Sequence, residues 1–180
     1  MPLTDDTAIT LHAAVVLANS AVVGEDSLTT VEELDEWYDK YLFTTHRAQG
    51  SDELDSMRAI RTPLYALLSA ERNAAAELVN AMLAEYGAIP QLVRHGEWDW
   101  HLHGVPAEAP PATRVVVDTA MAMIDMIRDD EMSRLGICAD EHCEGIVLDL
   151  SRNRSRRFCS TTCGNRNAVA AYRARQAAKH

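Results

Sequence analysis

The chain has 180 residues, 47% hydrophobic and 24% charged, enough for one ordinary core with a small satellite and unlike a disordered or fibrous sequence. Its formal charge of −10 argues against a nucleic-acid binder only as an average: residues 1–150 hold all 27 acidic residues and nine basic ones, whereas residues 151–180 hold eight basic residues and no acidic one. No apolar run approaches the ~20 residues needed to cross a bilayer and no secretory hydrophobic segment opens the chain, so a soluble protein of the reducing cytoplasm is expected.

Ile9 to Val23 is apolar on most sides and reads as a buried helix or strand, ended by Gly24-Glu25-Asp26-Ser27. After Thr29-Thr30, which can cap, Val31, Leu34, Trp37, Tyr38, Tyr41 and Leu42 recur at helical spacing among acidic residues. Acids near a helix start favour the macrodipole, and with no His or Cys interleaved they read as a solvated face.

Ser51 opens a second amphipathic helix through Leu54, Met57, Ile60, Leu64 and Leu67, with Pro63 kinking it or shortening it at Thr62. Arg58 and Arg61 share its face, as a clamp for an anion or, the preferred reading, as partners of nearby acids. Asn73 to Tyr86 forms the next helix, ended by Gly87 and Pro90.

From Gln91 to His103 the period changes to that of a strand. Trp98, Trp100 and Leu102 alternate with Asp99, His101 and His103, and His95-Gly96 suits the hairpin turn. The tryptophans read as core; the histidines read as ordinary exposed residues, since a His-x-His pair lacks a third ligand in sequence. Such a hairpin can also wall a pocket, so Arg58, Arg61, Trp98 and Trp100 are the candidate lining for a small-molecule effector. After the linker Pro106 to Pro111, a helix from Thr113 has Val116, Ala120, Met123, Ile124, Ile127 and Met132 on its core stripe, with Asp118, Asp125, Arg128 and Asp129 outside.

All four cysteines fall within 26 residues, as Cys138-x4-Cys143-x15-Cys159-x3-Cys163. Two close thiol pairs across a mid-length loop suit tetrahedral Zn²⁺, with sulfur at about 2.3 Å, and the reducing compartment disfavours disulfides. Four thiolates leave no open coordination position, so the zinc is structural, and His142 is a competitor the site does not need. Ile146 to Leu150 reads as a strand, Ser151 to Arg154 as a turn, Ser155 to Phe158 as its return, and a helix starts near Cys163 and runs to about Lys179, with Val169 and Tyr172 packed on the hairpin. Seven of the eight basic residues after Leu150 are arginine, the side chain best matched to phosphate, which favours DNA; docking on acidic carboxylates is the competing use.

Cys163-Gly164-Asn165-Arg166, with Ser151-Arg152-Asn153, Arg156-Arg157-Phe158-Cys159-Ser160 and Tyr172-Arg173-Ala174-Arg175 around it, resembles the CGNR zinc-finger family over residues 134–176. That family carries an N-terminal, mostly helical ABATE domain and is described in terms of stress-induced transcription regulation. The upstream order is similar: an apolar segment with Asn19, Leu34 and Trp37 in an acidic stretch, Glu53-Leu54 with Arg58 and Arg61, and Asn80 before Leu83. The chain departs from the pattern at aliphatic Ile146-Val147-Leu148, where an aromatic residue is usual, and at Asn167-Ala168, where a lysine is common.

The resemblance implies Cys138, Cys143, Cys159 and Cys163 as zinc ligands, with Asn165 and Arg166 completing the signature. The expected architecture is mostly α: a helical domain with a small β-hairpin over residues 1–133, then a treble-clef-like module of knuckle, hairpin and helix over 134–180. Its expected role is a non-enzymatic zinc-containing transcription regulator. Arg154, Arg156, Arg157, Asn165, Arg166, Arg173 and Arg175 would contact double-stranded DNA, and the N-terminal domain would sense an effector or form a homodimer. The alternative is a zinc-stabilised protein-interaction module.

Overall fold

The computed structural model describes residues 3–41, 50–94 and 99–178, and the protein is mostly helical with two small β-hairpins. Helix α1 (Asp5–Asn19) is at the centre, and its fifteen residues settle the helix-or-strand question in favour of helix. Leu11, Ala13, Ala14, Leu17 and Ala18 are buried on more than one side because α1 is covered by several later elements. The small alanines let those elements approach closely.

Helix α2 (Val31–Tyr41) begins with a reciprocal cap. Thr30 Oγ1 accepts the Glu33 N–H at 3.2 Å, while the Glu33 carboxylate accepts the N–H groups of Thr29 at 2.6 Å and Thr30 at 3.1 Å. Leu34, Trp37, Tyr38 and Tyr41 form the buried side, and Trp37 Nε1 donates to the Ala13 carbonyl at 3.3 Å. Leu42, expected on the same stripe, lies outside the described residues.

The helix expected from Ser51 is two: α3 (Ser51–Ala59) and α4 (Arg61–Leu68), separated at Ile60. Pro63 therefore falls in the first turn of α4, where its missing N–H has no intrahelical partner to lose. Helix α5 (Arg72–Glu85) ends as predicted: Gly87 adopts φ +59°, and Ala88 N–H donates back to the Leu83 carbonyl at 2.9 Å. Helix α6 (Pro111–Arg128) starts on a proline and buries Val115, Val116, Ala120, Met123 and Met126 against α1, α3 and α5.

Strands β1 (Gln91–Val93) and β2 (His101–His103) pair antiparallel with Leu92 opposite Leu102. The His95-Gly96 turn and Trp98 lie outside the described residues. The hairpin's facing is the reverse of the expectation. Trp100 is 63% exposed and Leu92 and Leu102 are also exposed, while His103 turns inward towards Asp118 of α6, which is itself mostly covered. Alternation separates two faces of a strand; which face is inward depends on the surface opposite, and here that surface presents a carboxylate.

Strands β3 (Leu135–Ile137) and β4 (Ile146–Leu148) form the second hairpin, antiparallel, with Gly136 opposite Val147. The partner of β4 thus precedes the first cysteine, and Ser155 to Phe158, expected as its return strand, is not a strand. Asp149 diverts the chain: its carboxylate accepts the N–H of Ser151 at 2.8 Å and of Arg156 at 2.6 Å, and Arg154 adopts φ +47° within that turn.

All of β4 is buried, on two faces. Ile146 and Leu148 join the helical core, whereas Val147 packs with Cys138, Cys163 and Phe158. Asn19, at the end of α1, seals the contact by donating to the Ile146 carbonyl at 2.8 Å and accepting the Ile146 N–H at 2.7 Å. Helix α7 (Thr161–Ala177) is capped by Ser160, whose Oγ accepts the Cys163 N–H at 3.2 Å. Cys163 is its buried residue; Val169 and Tyr172, expected against the hairpin, are 48% and 57% exposed, because the described residues provide no surface beside the later turns of the helix.

Candidate metal centre

The β3–β4 turn delivers Cys138 and Cys143, and the start of α7 delivers Cys159 and Cys163. The four sulfur atoms lie within 4.8 Å of one another, with Cys143 to Cys159 at 3.5 Å and Cys159 to Cys163 at 3.8 Å. Four sulfurs at about 2.3 Å from a tetrahedral ion would stand roughly 3.8 Å apart, so the cluster matches a closed Cys₄ zinc site. All four are free thiols, which leaves them available as ligands.

Backbone N–H groups already point at this sulfur cluster: Gly145 donates to Cys143 Sγ and Cys159 to Cys138 Sγ, each at 3.4 Å. Gly145 is needed for packing, since a Cβ there would meet Val23 Cγ2 at 2.5 Å and Cys159 Sγ at 3.0 Å. Burial pushes the thiols of Cys143 and Cys159 up. At Cys138 burial acts the same way, but hydrogen bonds from the N–H groups of Cys159 and Asp140 and from the neighbouring thiols of Cys159 and Cys143 together outweigh it, and the thiol lies lower. A divalent cation supplies the charge that lets crowded thiols ionise together. His142 is exposed, beside Glu141 at 3.3 Å, and does not belong to the cluster.

Asp140, between the first two ligands, ties α7 to this knuckle. Its buried carboxylate accepts from Arg166 Nη1 at 3.2 Å and Asn167 Nδ2 at 2.8 Å. Arg166 remains 49% exposed, so it positions the helix and still shows a guanidinium edge to solvent. Asn165 is exposed.

The arginines of the turn are divided between scaffold and surface. Arg154 pairs with Glu131 at 2.6 Å and donates to Ser133 Oγ at 2.7 Å; Arg134 shares the same carboxylate oxygen at 2.6 Å. Burial raises the Glu131 carboxyl, but the two guanidiniums hold it below the usual carboxylate range. Arg156 donates to the carbonyls of Phe158 at 3.2 Å and Cys159 at 3.0 Å. Arg157 rests over the Phe158 ring at 5.7 Å. Arg154, Arg156 and Arg157 nonetheless line one groove of about 230 Å³ along β3, and Arg173 and Arg175 are exposed on α7 without a carboxylate partner among the described residues.

Of the four residues proposed for an effector pocket, the three described ones, Arg58, Arg61 and Trp100, do not come together. Arg61 forms a two-pronged pair with Asp26 at 2.7 and 3.1 Å, and Arg58 reaches the same carboxylate at 3.5 Å, while Trp100 lines a separate cleft of about 380 Å³ between α1, α6 and the first hairpin. Trp98 lies outside the described residues. The Arg61 hydrogen bond holds the Asp26 carboxyl below its ordinary value, so both arginines are spoken for by an internal acid.

Asp140, Asp149 and Asn19 organise this region; in the sequence only Asn19 is named, within the family resemblance, and none of the three is assigned a role. Two of them sit immediately beside readable features, one inside the cysteine knuckle and one ending the strand after it. Asn19 gives no local signal, because its partner is 127 positions away.

Comparison with known families agrees with this geometry. The CGNR zinc finger matches residues 134–176, and the ABATE family, described as "Putative stress-induced transcription regulator", matches residues 11–130. No curated protein matches the chain.

Proposed function

Because this chain belongs to the ABATE family and ends in a CGNR zinc finger, we propose that it is a non-enzymatic regulator acting in the cytoplasm, which holds double-stranded DNA through the basic surface of its zinc module. The observation that carries this reading is the convergence of Arg154, Arg156 and Arg157 on one groove beside the zinc site. Arginine forks suit phosphate oxygens, and Arg173 and Arg175 extend the positive surface along α7. Arg154 and Arg156 would hold the shape of the groove, since much of their bonding is internal. Arg157, Arg173 and Arg175 would contribute most of the salt-sensitive contacts. The helical part would act as the sensor or dimerisation unit, joined to the module through Asn19 and β4.

Zinc-loaded full-length protein should bind duplex DNA with affinity that falls as salt rises. Replacing Arg157, Arg173 and Arg175 by alanine should flatten the log–log salt slope by about 0.9 for each phosphate contact removed. Absence of binding at low salt overturns the proposal. A second reading, a protein-interaction module, draws on the Arg154–Glu131 and Arg166–Asp140 pairs, which show these arginines engaging carboxylates. It predicts no DNA binding but retention of an acidic partner.

A further inference from the structure

The exposed apolar side chains of the first hairpin are not scattered over the surface. Leu92, Trp100 and Leu102 all line the cleft of about 380 Å³ that the hairpin forms with α1 and α6, where Met121 and Ile124 of α6 add to the apolar lining. Gly104 fixes the base of the hairpin against α6: a Cβ there would collide with Val117 and meet Met121 Sδ at 2.8 Å. The wall is therefore pre-formed, and a concavity of this size with apolar sides suits a small organic molecule.

The polar groups of the cleft select its charge. Among the described lining residues Arg128 is the one permanent cation, against Asp6 of α1 and Asp118 and Asp125 of α6. Arg128 and Asp125 are exposed and three positions apart on α6, so they offset each other, and Asp125 also accepts from Thr7 Oγ1 at 3.3 Å. Asp118 is placed differently. Its side chain is only 12% exposed, and its Oδ1 is buried with no hydrogen-bond partner among the described residues. His103 Nδ1 stands 3.5 Å away, beyond a good hydrogen bond, and Arg114, one turn earlier, attracts the carboxylate while donating to the Ala107 carbonyl. A buried carboxylate oxygen without a donor is costly, and a ligand N–H placed there recovers that bond.

We propose that this cleft binds a small organic cation, a protonated amine on an apolar body, with the ammonium donating to Asp118 and the body lying against Leu92, Trp100 and Leu102. A charge-assisted bond to a carboxylate is about twice as strong as a neutral one, and the excess of aspartates disfavours an anion of the same shape. The site gives a ligand class to the sensor role proposed for the helical part, and it rests on that reading for its purpose.

Titration of the zinc-loaded full chain with phenethylammonium, the neutral phenethyl alcohol and the anion hydrocinnamate, followed by ¹H–¹⁵N spectra, tests the assignment. The ammonium should saturate, shift the amides of residues 100–102 and 118–125, and bind about 10-fold more tightly than the alcohol, with the anion weaker still. Asp118→Asn should remove most of that preference and leave the alcohol's affinity within about twofold, a pattern that a merely structural role would not give. Trp100→Ala should weaken amine and alcohol alike. An alcohol or anion that binds the wild type as tightly as the ammonium, a titration that does not saturate, or shifts confined to other parts of the chain would each overturn the proposal, and none of these needs a variant to fold. An undiminished preference in Asp118→Asn or full affinity in Trp100→Ala would overturn it as well. Because no DNA is present, failure here and failure of DNA binding are read separately.

Discussion

The two hairpins are built alike and held differently. Each pairs two three-residue strands antiparallel, yet β4 is buried on both faces while β1–β2 leaves Leu92, Trp100 and Leu102 in solvent. The second hairpin has a helical core on one side and a sulfur cluster on the other, and Asn19 meets the Ile146 N–H and carbonyl. Among the described residues the first faces an open cleft between α1 and α6, and it puts His103 against the Asp118 carboxylate there. A two-stranded ribbon has little stability of its own, so what it packs against decides which residues it hides.

The largest difference between the hairpins should appear on zinc removal. Structural zinc contributes on the order of 10 kcal/mol of apparent free energy to small modules, so chelation or Cys163→Ser should unfold the knuckle and the start of α7. Amide hydrogen exchange should then rise steeply over residues 138–163 and change far less in α5. Equal loss of protection in both places would mean that the zinc module and the helical core unfold as one unit.

A smaller effect separates the apolar residues of the two hairpins. Ile146→Ala removes a side chain at the junction of the two cores and should cost about 2–5 kcal/mol in urea unfolding. Leu102→Ala, at an exposed position, should stay within about 0.5 kcal/mol of wild type. Similar costs at both positions would show that the first hairpin is packed by something in solution.

The smallest expected effect is electrostatic and lies away from both hairpins. The Arg61 hydrogen bond lowers the Asp26 carboxyl, so the stability this pair contributes is complete above the ordinary aspartate value and is lost as pH falls through the lowered one. Unfolding midpoints measured below pH about 4 should drop less steeply for Asp26→Asn than for the wild type. Because Asp26 is near the surface, solvent screening keeps the difference small.

Cysteine spacing and hydrophobic period made much of this protein legible. The zinc ligands, the capping box at Thr30, the Gly87 stop and the start of α7 are local, decided by residues a few positions apart. Long-range pairing was not legible. The partner of β4 comes from before the cysteines because Asp149 diverts the segment after it, and no period in the sequence distinguishes Leu135 to Ile137 from Ser155 to Phe158 as that partner.

The same division applies to the functional surface. Sequence alone determined which side chains are chemically suited to metal and phosphate, since thiol, imidazole and guanidinium chemistry travels with the residue. Only the tertiary structure decided which of them are already engaged: Arg58 and Arg61 by Asp26, Arg154 by Glu131, Arg166 by Asp140. It also decided that β2 turns His103 inward. Those outcomes depend on which groups from distant positions meet in space, and a strand's alternation or a helix's period is silent about its partner.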